Sequence, residues 1–236
     1  MKVLNLAAKC VFILCVPVLL LTASIACTFN SAWLFRYGFD KYDVGSTTGL
    51  ADSELEKVAT GLIGYFNSGE EYIDLTVIKD GKSFTLFNEK EIVHLKDVKG
   101  LVWLDYWILL GTVVYVLGYG GVCFFWRRRQ YWRRLAWGVA GGSSLTLVLM
   151  LALGLGIMLN FDQLFLQFHL LSFANELWQL DPTSDYLIML VPQRFQYDVA
   201  SLWTLGTAVG ALILGGVAGS YLVFTRKTLN SRKLVP

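Results

Sequence analysis

Long apolar blocks alternate with polar segments along the 236 residues of the chain. Four blocks carry no Asp, Glu, Lys, Arg or His near their middles, and each exceeds the roughly 20 helical residues that cross a hydrocarbon core. This pattern predicts membrane-spanning helices over residues 10–35, 101–126, 135–159 and 199–224. A hydrophobic content of 55% agrees with a chain whose surface is largely in lipid.

The first block could also be a cleaved signal peptide, because small residues surround Cys27. Its apolar stretch continues to Phe35, further than a signal sequence usually extends, so we expect a retained anchor. All four cysteines fall within the predicted spans, at positions 10, 15, 27 and 123. We therefore expect neither a disulfide framework nor a cysteine metal site in the polar segments.

Charge divides the polar segments into two classes. Residues 1–9, 127–134 and 225–236 carry 11 lysines and arginines and no acidic residue, whereas all 18 acidic residues lie in or beside 36–100 and 160–198. Basic segments stay in the cytoplasm during insertion, so both termini are predicted inside and the two acidic segments outside the cell membrane. The Arg-rich turn suits anionic lipid headgroups, and we expect no nucleic acid partner.

The first outer segment, 36–100, has a mixed pattern. Ser53 followed by Glu56 resembles a capping box before an apolar stripe at helical spacing, formed by Leu55, Val58, Ala59, Leu62, Ile63 and Phe66. Asp80-Gly81 between alternating runs predicts a hairpin, and 89–99 predicts a helix entering the second span. The fold class is thus an α-helical integral membrane protein with four transmembrane helices and a small α+β extracytoplasmic unit.

The second outer segment, 160–198, begins with an aromatic-rich helix predicted over 161–178 and broken by Asp181-Pro182. One face of this helix carries Phe161, Phe165, Phe168 and Ser172, as in a helix half sunk in the membrane interface.

The only two histidines, His94 and His169, lie one in each outer segment, near a membrane boundary. Histidine can exchange protons near neutral pH, although an interfacial polar residue is an equally good interpretation. Glu91 and Asp97 share a helical face with His94 and could orient its ring, or be ordinary surface charges. Asn175 could donate a hydrogen bond to an oxyanion, or cap a helix.

Several chemistries lack their motifs. The chain has no G-x-S-x-G elbow, no H-E-x-x-H zinc site and no phosphate-binding P-loop. A metal bound by both histidines with Glu91 and Asp162 is only a weak candidate, so we expect no metal and no cofactor.

Two stretches, FNEKEIVHLKDVKGLV from Phe87 and FDQLFLQFHLLSFANELWQLDPTSDYLIMLVPQRF from Phe161, resemble the lipoprotein intramolecular transacylase family. This resemblance implies a four-span enzyme of low-GC Gram-positive bacteria. Such an enzyme moves an acyl chain from the sn-2 oxygen of a diacylglyceryl lipoprotein to the α-amino group of its N-terminal cysteine. It also implies two essential outer histidines, which match His94 and His169.

For this reaction we expect His94 to act as the base, oriented by Asp97 or Glu91. His169 would bind the oxyanion or protonate the leaving alkoxide, with Asn175 a weaker candidate. Substrate contacts are expected from Phe165, Phe168, Ser172 and Arg194. The expected partners are the lipoprotein substrate and membrane lipid, and the chain is expected to be a monomer.

Two other functions fit the pattern. A membrane lipase or acyltransferase could act on phospholipid through Ser172 and His169. A non-enzymatic sensor or assembly protein could use the first outer segment to bind a partner.

Overall fold

The computed structural model describes residues 2–125 and 129–231. Met1, residues 126–128 and residues 232–236 lie outside this part, and with them portions of the predicted basic turn and tail. The described chain contains helices and strands in the order α1 Lys2–Phe29, α2 Ala32–Lys41, α3 Val44–Thr48, α4 Asp52–Phe66, β1 Thr76–Lys79, β2 Lys82–Thr85, α5 Glu89–Phe125, α6 Arg129–Ser172, α7 Tyr186–Leu190 and α8 Gln193–Ser231.

Four of these helices, α1, α5, α6 and α8, are long and apolar enough to cross a membrane. The predicted fold class is thereby confirmed. The first helix ends at Phe29, and Ser31 caps α2 by accepting a hydrogen bond from the Leu34 amide at 3.4 Å. The last residues of the predicted first span therefore belong to α2.

Internal contacts divide the chain into two compact units. A helical unit comprises residues 1–24, 106–155 and 203–236, and a mixed unit comprises residues 25–105 and 156–202. In the helical unit, α1 packs closely against glycines of α6. A Cβ atom on Gly142 would lie 2.6 Å from Val16 Cβ and 2.9 Å from the Ile13 carbonyl oxygen. Glycine at this position allows the two backbones to approach, as small residues commonly do between membrane helices.

Gly142→Ala is therefore expected to destabilise the protein by about 1–3 kcal/mol, because the added methyl group meets backbone as well as side-chain atoms. Thermal unfolding of the detergent-purified protein measures this as a fall in Tm. Gly216→Ala is the matched control, since a Cβ atom there would meet nothing within 4 Å. An equal Tm for the two variants would contradict the close approach.

The mixed unit contains the predicted hairpin. Strands β1 and β2 pair antiparallel with Val77 opposite Phe84. Asp80 and Gly81 form the turn with φ of 53° and 74°, the positive values that this type of hairpin turn requires. The hairpin is thus confirmed, and Val77 is fully buried.

Helix α4 buries most of the predicted stripe, with Leu55, Val58, Ala59, Leu62 and Phe66 in the core, whereas Ile63 is only half-buried. The capping box at its start is wrong. The N-cap residue is Ala51 without a side-chain cap, so Ser53 lies inside the first turn. The Glu56 carboxylate instead forms an ion pair with Arg36.

Helix α6 changes direction at Asn160, whose backbone is non-helical with φ of −160° and ψ of 77°. The Asn160 side chain accepts a hydrogen bond from the Gln163 amide at 3.1 Å and so caps the helical stretch that follows. This stretch ends at Ser172, six residues before the predicted end. Beyond it, the Asn175 side chain accepts from the Leu177 amide at 3.0 Å, a local turn that competes with helix.

Candidate active site

The start of α5 is held by a reciprocal cap. The Asn88 side chain accepts a hydrogen bond from the Glu91 amide at 3.0 Å, and the Glu91 carboxylate accepts one from the Asn88 amide at 2.8 Å. The other carboxylate oxygen of Glu91 accepts from the Leu187 amide at 2.6 Å. Glu91 is only 1% exposed, and its bond to Leu187 joins the start of α5 to the first turn of α7.

His94 lies one helical turn after Glu91 and is 6% exposed. Its Nδ1 atom is buried and has no hydrogen-bond partner among the described residues. The expected orienting bond from Glu91 or Asp97 is therefore not formed at this nitrogen. A buried ring nitrogen without a protein partner keeps its hydrogen-bonding capacity for a ligand.

His169 lies near the end of α6 and is 7% exposed. Its Nδ1 atom is 2.8 Å from the carbonyl oxygen of Phe165. A carbonyl oxygen can only accept a hydrogen bond, so Nδ1 must carry the proton. In the neutral ring Nε2 is then the unprotonated nitrogen, which is able to take a proton from a substrate.

The two imidazole rings lie close together within the mixed unit. Their centroids are 6.3 Å apart, and the ring of Phe173 lies 5.0 Å from that of His94. Both rings have lost most of the water that would solvate a charged form, which favours neutral imidazole at rest. The arrangement leaves two neutral imidazoles at a separation that one small reacting group could bridge.

Asp97 and Asn175 form a hydrogen bond with each other. Asn175 Nδ2 donates to Asp97 Oδ2 at 2.8 Å. Nearby, the Lys90 ammonium group donates to the Gln179 carbonyl oxygen. These contacts hold the irregular segment after α6 against α5.

Asp185 completes this attachment, and sequence reasoning missed it. It accepts hydrogen bonds from the Asp181 amide at 2.7 Å and from Asn88 Nδ2 at 3.0 Å, and it lies 3.7 Å from the Lys90 ammonium. Hydrogen bonds from Thr183 lower the pKa of the Asp181 carboxyl, in the turn before Asp185. The Asp-Pro turn in the quoted stretch was the available signal.

The predicted substrate contacts lie in two places. The rings of Phe165 and Phe168 are 4.1 and 5.3 Å from that of His169, and Ser172 is the last residue of the same helix. Arg194 instead lines a cavity of about 380 Å³ with Tyr42, Phe161, Asp162, Gln193 and Tyr197. Neither histidine lines this cavity.

Trp178 is the second residue that sequence reasoning missed. Its ring lies 4.9 Å from that of His169. The predicted helix over 161–178 hid this contact, because Trp178 approaches His169 only after the chain leaves the helix at Ser172.

The described residues do not form a metal site of His, Cys, Asp or Glu ligands. Over 2–125 and 129–231, no group of three or more His, Cys, Asp or Glu side chains could hold a metal ion.

Comparison with known proteins identifies the family. The model of the family described as "Lipoprotein intramolecular transacylase Lit" matches residues 10–196. No curated protein matches the chain.

Three solved structures of the membrane integral lipoprotein intramolecular transacylase Lit from Bacillus cereus are similar, each 19% identical. With one of them, the alignment covers 97% of this chain and 100% of the Bacillus cereus chain, with a TM-score of 0.81. Variants with a histidine replaced by arginine or by alanine give TM-scores of 0.74 and 0.76 and cover 96% of this chain and 95% and 97% of their own. At this identity the structures show a shared fold. The family match spans most of the sequence, and the chain belongs to the lipoprotein intramolecular transacylase family.

Proposed function

We propose that the pair His94 and His169 moves the sn-2 acyl chain of a diacylglyceryl lipoprotein to the α-amino group of the same N-terminal cysteine. The observation that carries this proposal is the meeting of two buried imidazoles, 6.3 Å apart between centroids, from distant parts of the sequence. The reaction converts an ester to an amide within one substrate and consumes no water. Its product is the lyso-form lipoprotein.

His169 takes the proton in this mechanism, because the bond from its Nδ1 to Phe165 leaves Nε2 as the basic nitrogen. The free α-amine, whose pKa is about 7.7–8.0, attacks the ester carbonyl. As the C–N bond forms, a proton passes from nitrogen to Nε2, and the same proton then passes to the glycerol oxygen as the C–O bond breaks. This assignment reverses the order expected from the sequence.

His94 supports the oxyanion in the same mechanism. Its Nδ1 atom is free of protein partners in the described chain, and an N–H group there would donate to the tetrahedral oxygen. No protein nucleophile is needed, because the amine and the ester belong to one molecule. Holding them in a reactive geometry can lower the barrier by several kcal/mol, up to about 7–11 kcal/mol.

Substrate binding is proposed along the aromatic face of α6. Phe165 and Phe168 lie against His169 and offer apolar surface to the acyl chain. Ser172 and Arg194 stay predictions as substrate contacts. One chain supplies both histidines, so the reaction needs only a monomer surrounded by membrane lipid.

The orientation in the cell membrane is proposed from the charge distribution. Eleven basic residues in segments 1–9, 127–134 and 225–236 favour a cytoplasmic location for both termini. The histidines would then lie on the outer face, where the peptide of a membrane-anchored lipoprotein hangs.

Expression in a bacterial host that makes diacylglyceryl lipoproteins tests the function. We expect lipoprotein N-termini to change from a free amine with two ester-linked chains to an N-acyl form with one, as mass-spectrometric fragmentation shows. Cells with the empty vector are the control. Identical N-termini in both strains would refute the proposal and favour a non-enzymatic membrane protein.

A further inference from the structure

We propose that Trp178 determines which nucleophile receives the acyl group, by covering His169 so that the amine reacts and water does not. This inference rests on the proposed function and adds a specificity-determining residue to it. Trp178 is a positioning residue in this account, since it acts by enclosing the ring of His169.

The enclosure of His169 is nearly complete. Four aromatic rings surround it, with centroids 4.1 to 5.5 Å from its own, and they belong to Phe165, Trp178, Phe168 and Phe173. Three of the four are on α6 or directly after it. Trp178 is the one ring of this set that comes from the irregular segment beyond.

Contacts on both sides of Trp178 fix its position. Three residues earlier in the chain, Asn175 donates a hydrogen bond to Asp97 at 2.8 Å. In the next residue, the Gln179 carbonyl oxygen accepts a hydrogen bond from Lys90. Both partners are on α5, the helix that carries His94. Because the segment is not helical, these tertiary contacts and not helical geometry hold the indole over His169.

A cover over His169 would suppress a competing reaction with water. A base that takes a proton from an attacking amine can equally take one from water. Water attack would form a C–O bond, break the ester bond to glycerol and pass a proton to the glycerol oxygen. The products would be a free fatty acid and a monoacylglyceryl lipoprotein with an unmodified amine, so excluding water protects the transfer.

The two outcomes differ in mass. Transfer to the amine produces an isomer of the substrate with unchanged mass, whereas hydrolysis removes one fatty acid. A synthetic diacylglyceryl lipopeptide in detergent micelles, incubated with each purified variant, therefore reports both reactions in one mass spectrum. Fragmentation at the N-terminal residue distinguishes the N-acyl isomer from the substrate.

Trp178→Ala is expected to raise the hydrolysed fraction of product about tenfold or more, at the lower end of the discrimination that a hydrophobic contact supplies. Trp178→Phe keeps an aromatic ring and should restore most of the transfer. Trp33→Ala is the matched control, because Trp33 is 64% exposed and should leave both products unchanged. Trp178→Leu is used if the alanine variant does not fold, with the same direction of change.

The outcomes separate the two proposals. N-acyl product from the wild-type chain with an unchanged hydrolysed fraction in folded Trp178 variants would overturn this inference alone. Absence of N-acyl product from the wild-type chain would overturn the proposed function and this inference with it. A rise in hydrolysis in Trp178→Ala, reversed in Trp178→Phe, supports the inference.

Discussion

Replacing His169 with alanine is expected to lower acyl transfer by about 10²–10⁴-fold, the contribution that a positioned general acid–base group usually makes. In the proposed mechanism, His169 supplies the nitrogen that receives the proton of the attacking amine and returns it to glycerol, and the substitution removes that nitrogen. It also removes the hydrogen bond from Nδ1 to the Phe165 carbonyl oxygen. Initial rates of N-acyl product formation from a synthetic lipopeptide measure the loss.

His94→Ala is expected to cause a loss of similar order, since removing one oxyanion donor costs about 10²–10³-fold. Glutamine separates the two roles. His94→Gln keeps an N–H donor and should recover part of the rate, whereas His169→Gln cannot accept and return a proton and should stay inactive.

Several controls make this comparison decisive. Membrane insertion and Tm of each variant show whether the protein still folds. Equal recovery of the transfer rate in the two glutamine variants would contradict the assignment of His169 as the base and His94 as the oxyanion donor. Full activity in either alanine variant would contradict the histidine mechanism as a whole.

Local patterns in the sequence predicted much of the fold because the physics behind them is local. In lipid, the backbone N–H and C=O groups of a run of about 20 apolar residues must pair with one another. Such a run therefore forms a helix, whatever its neighbours are. The Asp80-Gly81 turn likewise depends on two residues that tolerate positive φ. These features needed no knowledge of tertiary contacts.

The site was less accessible to such reasoning, because its contacts join residues far apart in the chain. Glu91 was expected to face His94 from the same helix, yet its carboxylate accepts a hydrogen bond from the amide of Leu187, 96 residues away. Asp97 is on the expected face, but it accepts a hydrogen bond from Asn175. Trp178 and Asp185 became recognisable only once the end of α6 was known to be Ser172.

Glu91→Gln is expected to lower both stability and transfer. Each oxygen of the buried Glu91 carboxylate accepts a hydrogen bond from one backbone amide, that of Asn88 at 2.8 Å or that of Leu187 at 2.6 Å. A glutamine side chain has only one acceptor oxygen, and its NH₂ group would face the second amide. A buried amide left without a partner costs about 1–3 kcal/mol. Both of these amides are part-buried, so the free energy of unfolding should fall by up to that amount.

Transfer should fall together with stability, because the same carboxylate fixes the start of the helix that carries His94. Glu89→Gln is the matched control, since Glu89 is an exposed carboxylate in the same first turn. Thermal unfolding and N-acyl product formation are measured on all three proteins. A Glu91→Gln variant with an unchanged Tm and a lowered rate would show that the carboxylate acts on His94 electrostatically, as the sequence alone suggested, and that its bonds to the two amides contribute little. A fall in both quantities, absent from Glu89→Gln, would mean that Glu91 supports catalysis by holding the two histidine-bearing segments together.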